Sequence, residues 1–187
     1  MNWTLIIVIA AIAAVLLFGV GIYNRLVALR QRFQQAFADI DVQLKQRLDL
    51  IPNLVETVKG YATHEKGTLQ AVTAARAAAA NAGSVEDRVA AENMLTGALR
   101  QLLAVSEAYP DLKANQNFLS LQAELSDIEN RLAAARRFFN NAVSEFNAAI
   151  QQFPAVLVAG ILGFKDQAFF DLGEGRAAAE VTPSVKF

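Results

Sequence analysis

Residues Leu5 to Tyr23 run for nineteen positions without a charge, whereas from Leu29 onward apolar residues recur every three or four positions with polar ones between them. At about 1.5 Å per residue the first segment makes a helix of roughly 28 Å, close to the hydrocarbon thickness of a bilayer. The second pattern is the stripe of an amphipathic helix. Leu29, Phe33, Phe37, Ile40, Leu44, Leu48, Ile51, Val55, Val58 and Ala62 share one face, and no turn signal separates them from Tyr23. The span is therefore predicted to continue into the body as one helix. Pro52 interrupts the stripe: its ring clashes with the carbonyl of Leu48 and removes one backbone hydrogen bond, at about 3 kcal/mol in a helix interior. A fresh start with Asp49 as N-cap is the alternative; the unbroken phase of the stripe favours a kink. The same element is predicted to run on through Gly60 to the alanine-rich stretch Ala74–Ala80 and to break at Asn81-Ala82-Gly83-Ser84.

Ser84, with Glu86 and Asp87 behind it, has the form of an N-cap followed by an acidic first turn. The helix it opens carries Val89, Leu95, Leu99, Leu102 and Leu103, and Ala108-Tyr109-Pro110-Asp111 closes it. A third helix is predicted from about Asn117. Its seam is Phe118, Leu121, Leu125, Ile128, Leu132, Ala135, Phe139, Ala142, Phe146, Ile150 and Phe153, ending at Phe153-Pro154. Three amphipathic helices must cover their stripes on each other, on copies or on a partner. The predicted fold is all-α: an N-terminal transmembrane helix continuing into an antiparallel bundle of long helices. The segments are 1–4, a short N-terminal segment; 5–23, the span; 24–164, the helical bundle; and 165–187, a loosely ordered tail with Gly173, Gly175 and Pro183.

Composition sharpens this picture. Gly and Pro number only 10 and 4 in 187 residues, which favours helix throughout. A net charge of -1 gives no field to attract nucleic acid. Cysteine is absent, which removes disulfides, thiolate metal sites and cysteine nucleophiles. A cleaved signal peptide is the other reading of the apolar run, but no basic residue precedes it. Twelve of its residues are Leu, Ile, Val or Phe, which sums to about -5 kcal/mol of insertion free energy. Arg25, Arg30 and Arg32 follow the run and nothing basic precedes it, so the positive-inside rule puts the N-terminus outside and the bundle in the cytoplasm. The same three arginines are candidates for contact with anionic headgroups. Trp3 and Tyr23 bracket the run at interfacial positions.

Chemistry is sparse. The single histidine, His64, forms neither a two-histidine zinc motif nor the paired ligands of a di-iron bundle, and no glycine cluster makes a phosphate loop. No catalytic, cofactor or metal residues are assigned. The polar residues beside the seams read as a solvated face; the sharper reading is that Arg47, Asn53, Tyr109 and Asn140 fix helix register or an interface. The apolar segment Ala155–Phe164 is too short to span a bilayer. It reads either as a cap on the bundle or as an interfacial anchor or subunit contact.

Several of these stretches also resemble a known family. Ile40-Asp41-Val42-Gln43-Leu44-Lys45-Gln46-Arg47-Leu48-Asp49-Leu50-Ile51-Pro52-Asn53-Leu54-Val55 and the following Glu56 to Glu65 are similar to the signature of the LemA family. So are Glu107-Ala108-Tyr109-Pro110-Asp111-Leu112-Lys113-Ala114-Asn115, Arg136-Arg137-Phe138-Phe139-Asn140, Phe146-Asn147 and Phe153-Pro154. The resemblance covers about residues 3–165 and leaves the tail unmatched. It implies a bacterial inner-membrane protein with one span and a helical bundle, no known enzyme activity, and a relation to a protein of magnetosome membranes. The expected function is a membrane-anchored scaffold that self-associates into a homo-oligomer and organises or shapes the bilayer. The alternative is an adaptor for another membrane protein, such as a protease or stress regulator. An enzyme needs a pocket of convergent polar groups, which the sequence does not display.

Overall fold

In the computed structural model, residues 2–170 are described. They contain six helices and no strand: α1 (Trp3–Lys59), α2 (Lys66–Asn81), α3 (Val85–Ser106), α4 (Pro110–Lys113), α5 (Gln116–Gln151) and α6 (Val156–Ala159). The fold is all-α and begins with a long apolar helix, as the pattern predicts. Helix α1 is one element from the apolar run through Pro52, so the fresh start at Asp49 is not what the chain adopts. Residues 3–21 are exposed throughout. Among the described residues this is the one stretch long and apolar enough to cross a membrane.

The first helix does not reach the alanine-rich stretch. It ends at Lys59, and α2 begins anew at Lys66. Gly60 weakens the helix there, and the last turn tightens: Tyr61 N–H donates to the Val58 carbonyl at 3.0 Å. Asn115 Nδ2 donates to Tyr61 Oη at 2.8 Å, tying this turn to the start of α5. Ala62 is fully buried, so the apolar phase continues across the break and conceals it in the sequence. The expected cap at Ser84 forms a full capping box with Asp87. Asn115 caps α5 by accepting the Phe118 N–H at 3.0 Å.

The chain divides into two units. One holds residues 2–39 with 135–169, where the two helical stretches run antiparallel: Phe33 meets Phe146 edge-on at 5.1 Å and Phe37 meets Phe139 at 5.6 Å. Arg32 pairs with Glu145 at 2.5 Å on its surface, an exposed pair worth little. The other unit is built on residues 40–134. Its core gathers Ile51, Leu54 and Val58 of α1, Val72 and Ala75 of α2, Leu95, Leu99 and Leu102 of α3, and Phe118 and Leu125 of α5. The buried register on α1 is Leu44, Arg47, Ile51, Leu54, Val58. Leu48 and Val55, predicted on the seam, are only partly buried at its edge.

Pro52 exacts its cost at the Leu48 carbonyl, which loses its helical donor. Arg76 of α2 supplies another: its Nε donates to that oxygen at 2.9 Å. Replacing Arg76 with Leu is expected to cost about 1–3 kcal/mol by leaving the carbonyl unsatisfied. In a Pro52→Ala background the helix restores the bond and the same replacement costs less. Denaturant unfolding of the four proteins of this cycle checks it; equal costs in both backgrounds would exclude the coupling.

Candidate functional site: a buried arginine cluster and the surfaces around it

Arg47 occupies a position where the seam calls for an aliphatic side chain, and it is only 2% exposed. Burying a guanidinium demands partners for its charge and its donors. Nη1 donates to Glu92 Oε2 of α3 at 2.8 Å, and Glu92 is itself buried. Nη2 donates to Thr96 Oγ1 at 3.1 Å and pairs with Glu129 Oε1 of α5 at 2.6 Å. Three helices are thus joined through one side chain. Arg47 Nε and Gln43 Oε1, one turn apart on α1, are buried without a hydrogen bond. Glu129 is partly exposed, so solvent screens its charge. A further pair, Arg88 with Asp41, links α3 to α1 nearby.

The other predicted residues lie elsewhere. Asn53 is exposed on α1, where its carbonyl accepts the Thr57 hydroxyl at 2.7 Å. Tyr109 is half-buried at the head of α4, its hydroxyl 3.4 Å from Glu65 Oε1. Asn140 is half-buried on α5. Arg25 is exposed, Arg32 reaches Glu145 and the Phe138 ring, and Arg30 lies 5.3 Å over the Phe164 ring. His64 is exposed in the turn between α1 and α2. Among the described residues no group of three acidic, histidine or cysteine side chains is placed to hold a metal ion.

Glu92 and Thr96 escape a reading by composition, although Glu92 carries a signal: it stands three residues before Leu95 and seven before Leu99, on the seam of α3. The cluster is flanked by two clefts. One, of about 360 Å³, has Asp41, Lys45, Asp49, Arg76, Arg88 and Glu92 on its walls. The other, of about 350 Å³, includes Thr96, Arg100, Gln122, Ser126 and Glu129. Both signs alternate in the first, and its arginines are engaged with Asp41 and with the Leu48 carbonyl. This is the chemistry of a locked helix junction.

A third surface is different in kind. Between α1 and α2 lies an apolar groove of about 770 Å³, floored by Val55, Leu69, Ala74 and Ala77 and rimmed by Glu56, Lys59 and Lys66. Alanine on the α2 side lets another helix approach at the close end of the usual 8–10 Å interaxial range.

The sequence profile of the LemA family matches residues 36–187. The match begins inside α1, after the apolar run, and extends through the tail, beyond the stretch the resemblance covers. Among individual proteins, the chain is 23% identical to the magnetosome protein MamQ of Magnetospirillum gryphiswaldense, over 87% of this chain and 70% of that one. It is 24% identical to the magnetosome protein MamQ 2 of Paramagnetospirillum magneticum, with the same shares covered. It is 28% identical to the protein LemA of Metamycoplasma hominis, over 83% of this chain and 71% of that one.

Proposed function

This chain belongs to the LemA family, and we propose that it is a membrane-anchored, non-catalytic scaffold whose copies associate through the groove between α1 and α2. The exposed apolar start of α1 holds it in a bacterial inner membrane, with the N-terminus outside and the bundle in the cytoplasm, as the arginines after the span favour. The groove carries the argument for self-association. Most predicted seams are consumed within the chain; this apolar strip is not. Its rim has both signs, Glu56 against Lys59 and Lys66, and a mixed rim can face its own copy across a two-fold axis without like-charge conflict. The magnetosome proteins among its relatives fit a role in organising membrane.

The test is the mass of the full chain extracted in mild detergent. An oligomer is expected, and Ala77→Glu, which places a charge in the groove at an exposed position, is expected to disperse it with helicity unchanged. A wild-type monomer would defeat the proposal. One stoichiometric foreign chain in place of a second copy would favour the adaptor.

A further inference from the structure

At the end of α5 the chain forms a cap over residues 153–164. One side of it is fixed. Ala155 and Ala159 are buried, and after Gly163, which turns the chain at φ 77°, Phe164 inserts against Tyr23 at 5.9 Å and Phe146 at 6.2 Å. The other side is bare. Phe153 is 80% exposed and Ile161 87%, with Val156, Leu157 and Leu162 also exposed. With Val158 beside them, six large apolar side chains face water, from which a free-standing domain end gains nothing.

The position of the cap says what covers it. Phe153, Pro154 and Ala155 share a small cavity with Ile22, Arg25 and Leu26. The cap therefore stands beside the last residues of the apolar run, within about one helical turn, 5.4 Å, of its end. Positive groups surround it: Arg25 and Lys165 are exposed and Arg30 packs over Phe164. The acidic group close by, Asp166, is held by Gln151 at 2.9 Å. An apolar face with basic residues at its margin, level with the end of a membrane span, matches the boundary between acyl chains and anionic headgroups.

We propose that Phe153, Val156, Leu157, Ile161 and Leu162 are seated in the headgroup–acyl boundary of the bilayer that holds the span, so that each chain meets the membrane at two places. The second contact fixes the rotation of the α1–α5 pair about the span, which a span surrounded by lipid leaves free by itself. The inference rests on the reading of residues 5–23 as a transmembrane helix and is independent of self-association.

The chain has no cysteine, so nitroxide labels can be placed singly at Leu157→Cys, Ile161→Cys, Val15→Cys in the span and Met94→Cys on α3. The labelled full chain is reconstituted in vesicles of phosphatidylcholine and phosphatidylglycerol. Collisions with lipid-soluble oxygen and with a water-soluble nickel chelate are then compared. Labels at 157 and 161 are expected to favour oxygen severalfold, as at 15, while the label at 94 favours nickel. Val15 in lipid with both cap labels in water overturns the cap contact and leaves the span standing. Cap labels shielded from both agents, or coupled magnetically in a way that dilution with unlabelled chain removes, place a second copy there and overturn the proposal. Val15 outside the lipid overturns both readings.

Discussion

Replacing Arg47 with alanine is expected to destabilise the 40–134 unit by about 3–5 kcal/mol, a large share of the 5–15 kcal/mol typical of a whole domain. The loss comes chiefly from what remains. Glu92 is 3% exposed and pairs with Arg47 at 2.8 Å; without the guanidinium that buried carboxylate loses this ion pair. The Thr96 hydroxyl loses a donor as well. Glu129 suffers less, since water reaches it. Charge reversal in the solvated pair Lys113–Glu107, in contrast, is expected to change stability by about 1 kcal/mol or less. The double replacement Arg47→Met with Glu92→Leu removes both buried charges and is expected to recover most of the loss, because well-packed apolar groups often equal or exceed a buried ion pair. Urea unfolding in detergent, followed by far-ultraviolet circular dichroism, measures all three. A single replacement that costs less than about 1 kcal/mol, or a double that is worse than the single, would show that the cluster does not bear on stability in this way.

The second large effect concerns the anchor. Ile12→Arg together with Leu16→Arg is expected to move the protein from the membrane to the soluble fraction. The apolar run supplies about -5 kcal/mol of insertion free energy, and each arginine near its centre adds about 2.5–3.5 kcal/mol while deleting one favourable residue. The sum turns unfavourable with two arginines and stays favourable with one. Residues 5–21 of the run, which include both replaced positions, are exposed, so the helices beyond them are expected to form as before. Fractionation of cells expressing wild type, single and double variants checks the ordering. A double variant that still resists carbonate extraction from membranes would contradict it.

The positions of the helices were legible because their seams are long and their ends carry specific chemistry. The Ser84 capping box, the Pro110 turn and Phe153-Pro154 all end or begin elements near where the residues indicate. The break after Lys59 was not, because Gly60 is a weak signal alone and Ala62 keeps the apolar phase. What enforces the turn is tertiary: the contact of Tyr61 with Asn115, far along the chain. Arg47 was legible as a polar group close to a seam, but its partners were not. Glu92 stands on the α3 seam, but that Arg47 answers its charge is fixed only when α3 is laid against α1. Phe153 shows the opposite failure: it continues the α5 seam in phase, yet the chain turns there and leaves it exposed. Arg76 satisfying the carbonyl freed by Pro52 required knowing that α2 folds back on α1.

Self-association through the groove is the claim on which the function rests, and intact membranes offer its most direct test. Gln70 lies on the groove wall and is exposed, and a Gln70→Cys chain carries a single thiol. Mild oxidation of membranes containing it is expected to give a disulfide-linked homodimer, with a Val42→Cys control on the exposed surface of α1 remaining monomeric. A Gln70→Cys chain that stays monomeric, or that links only to a different protein, would contradict the account.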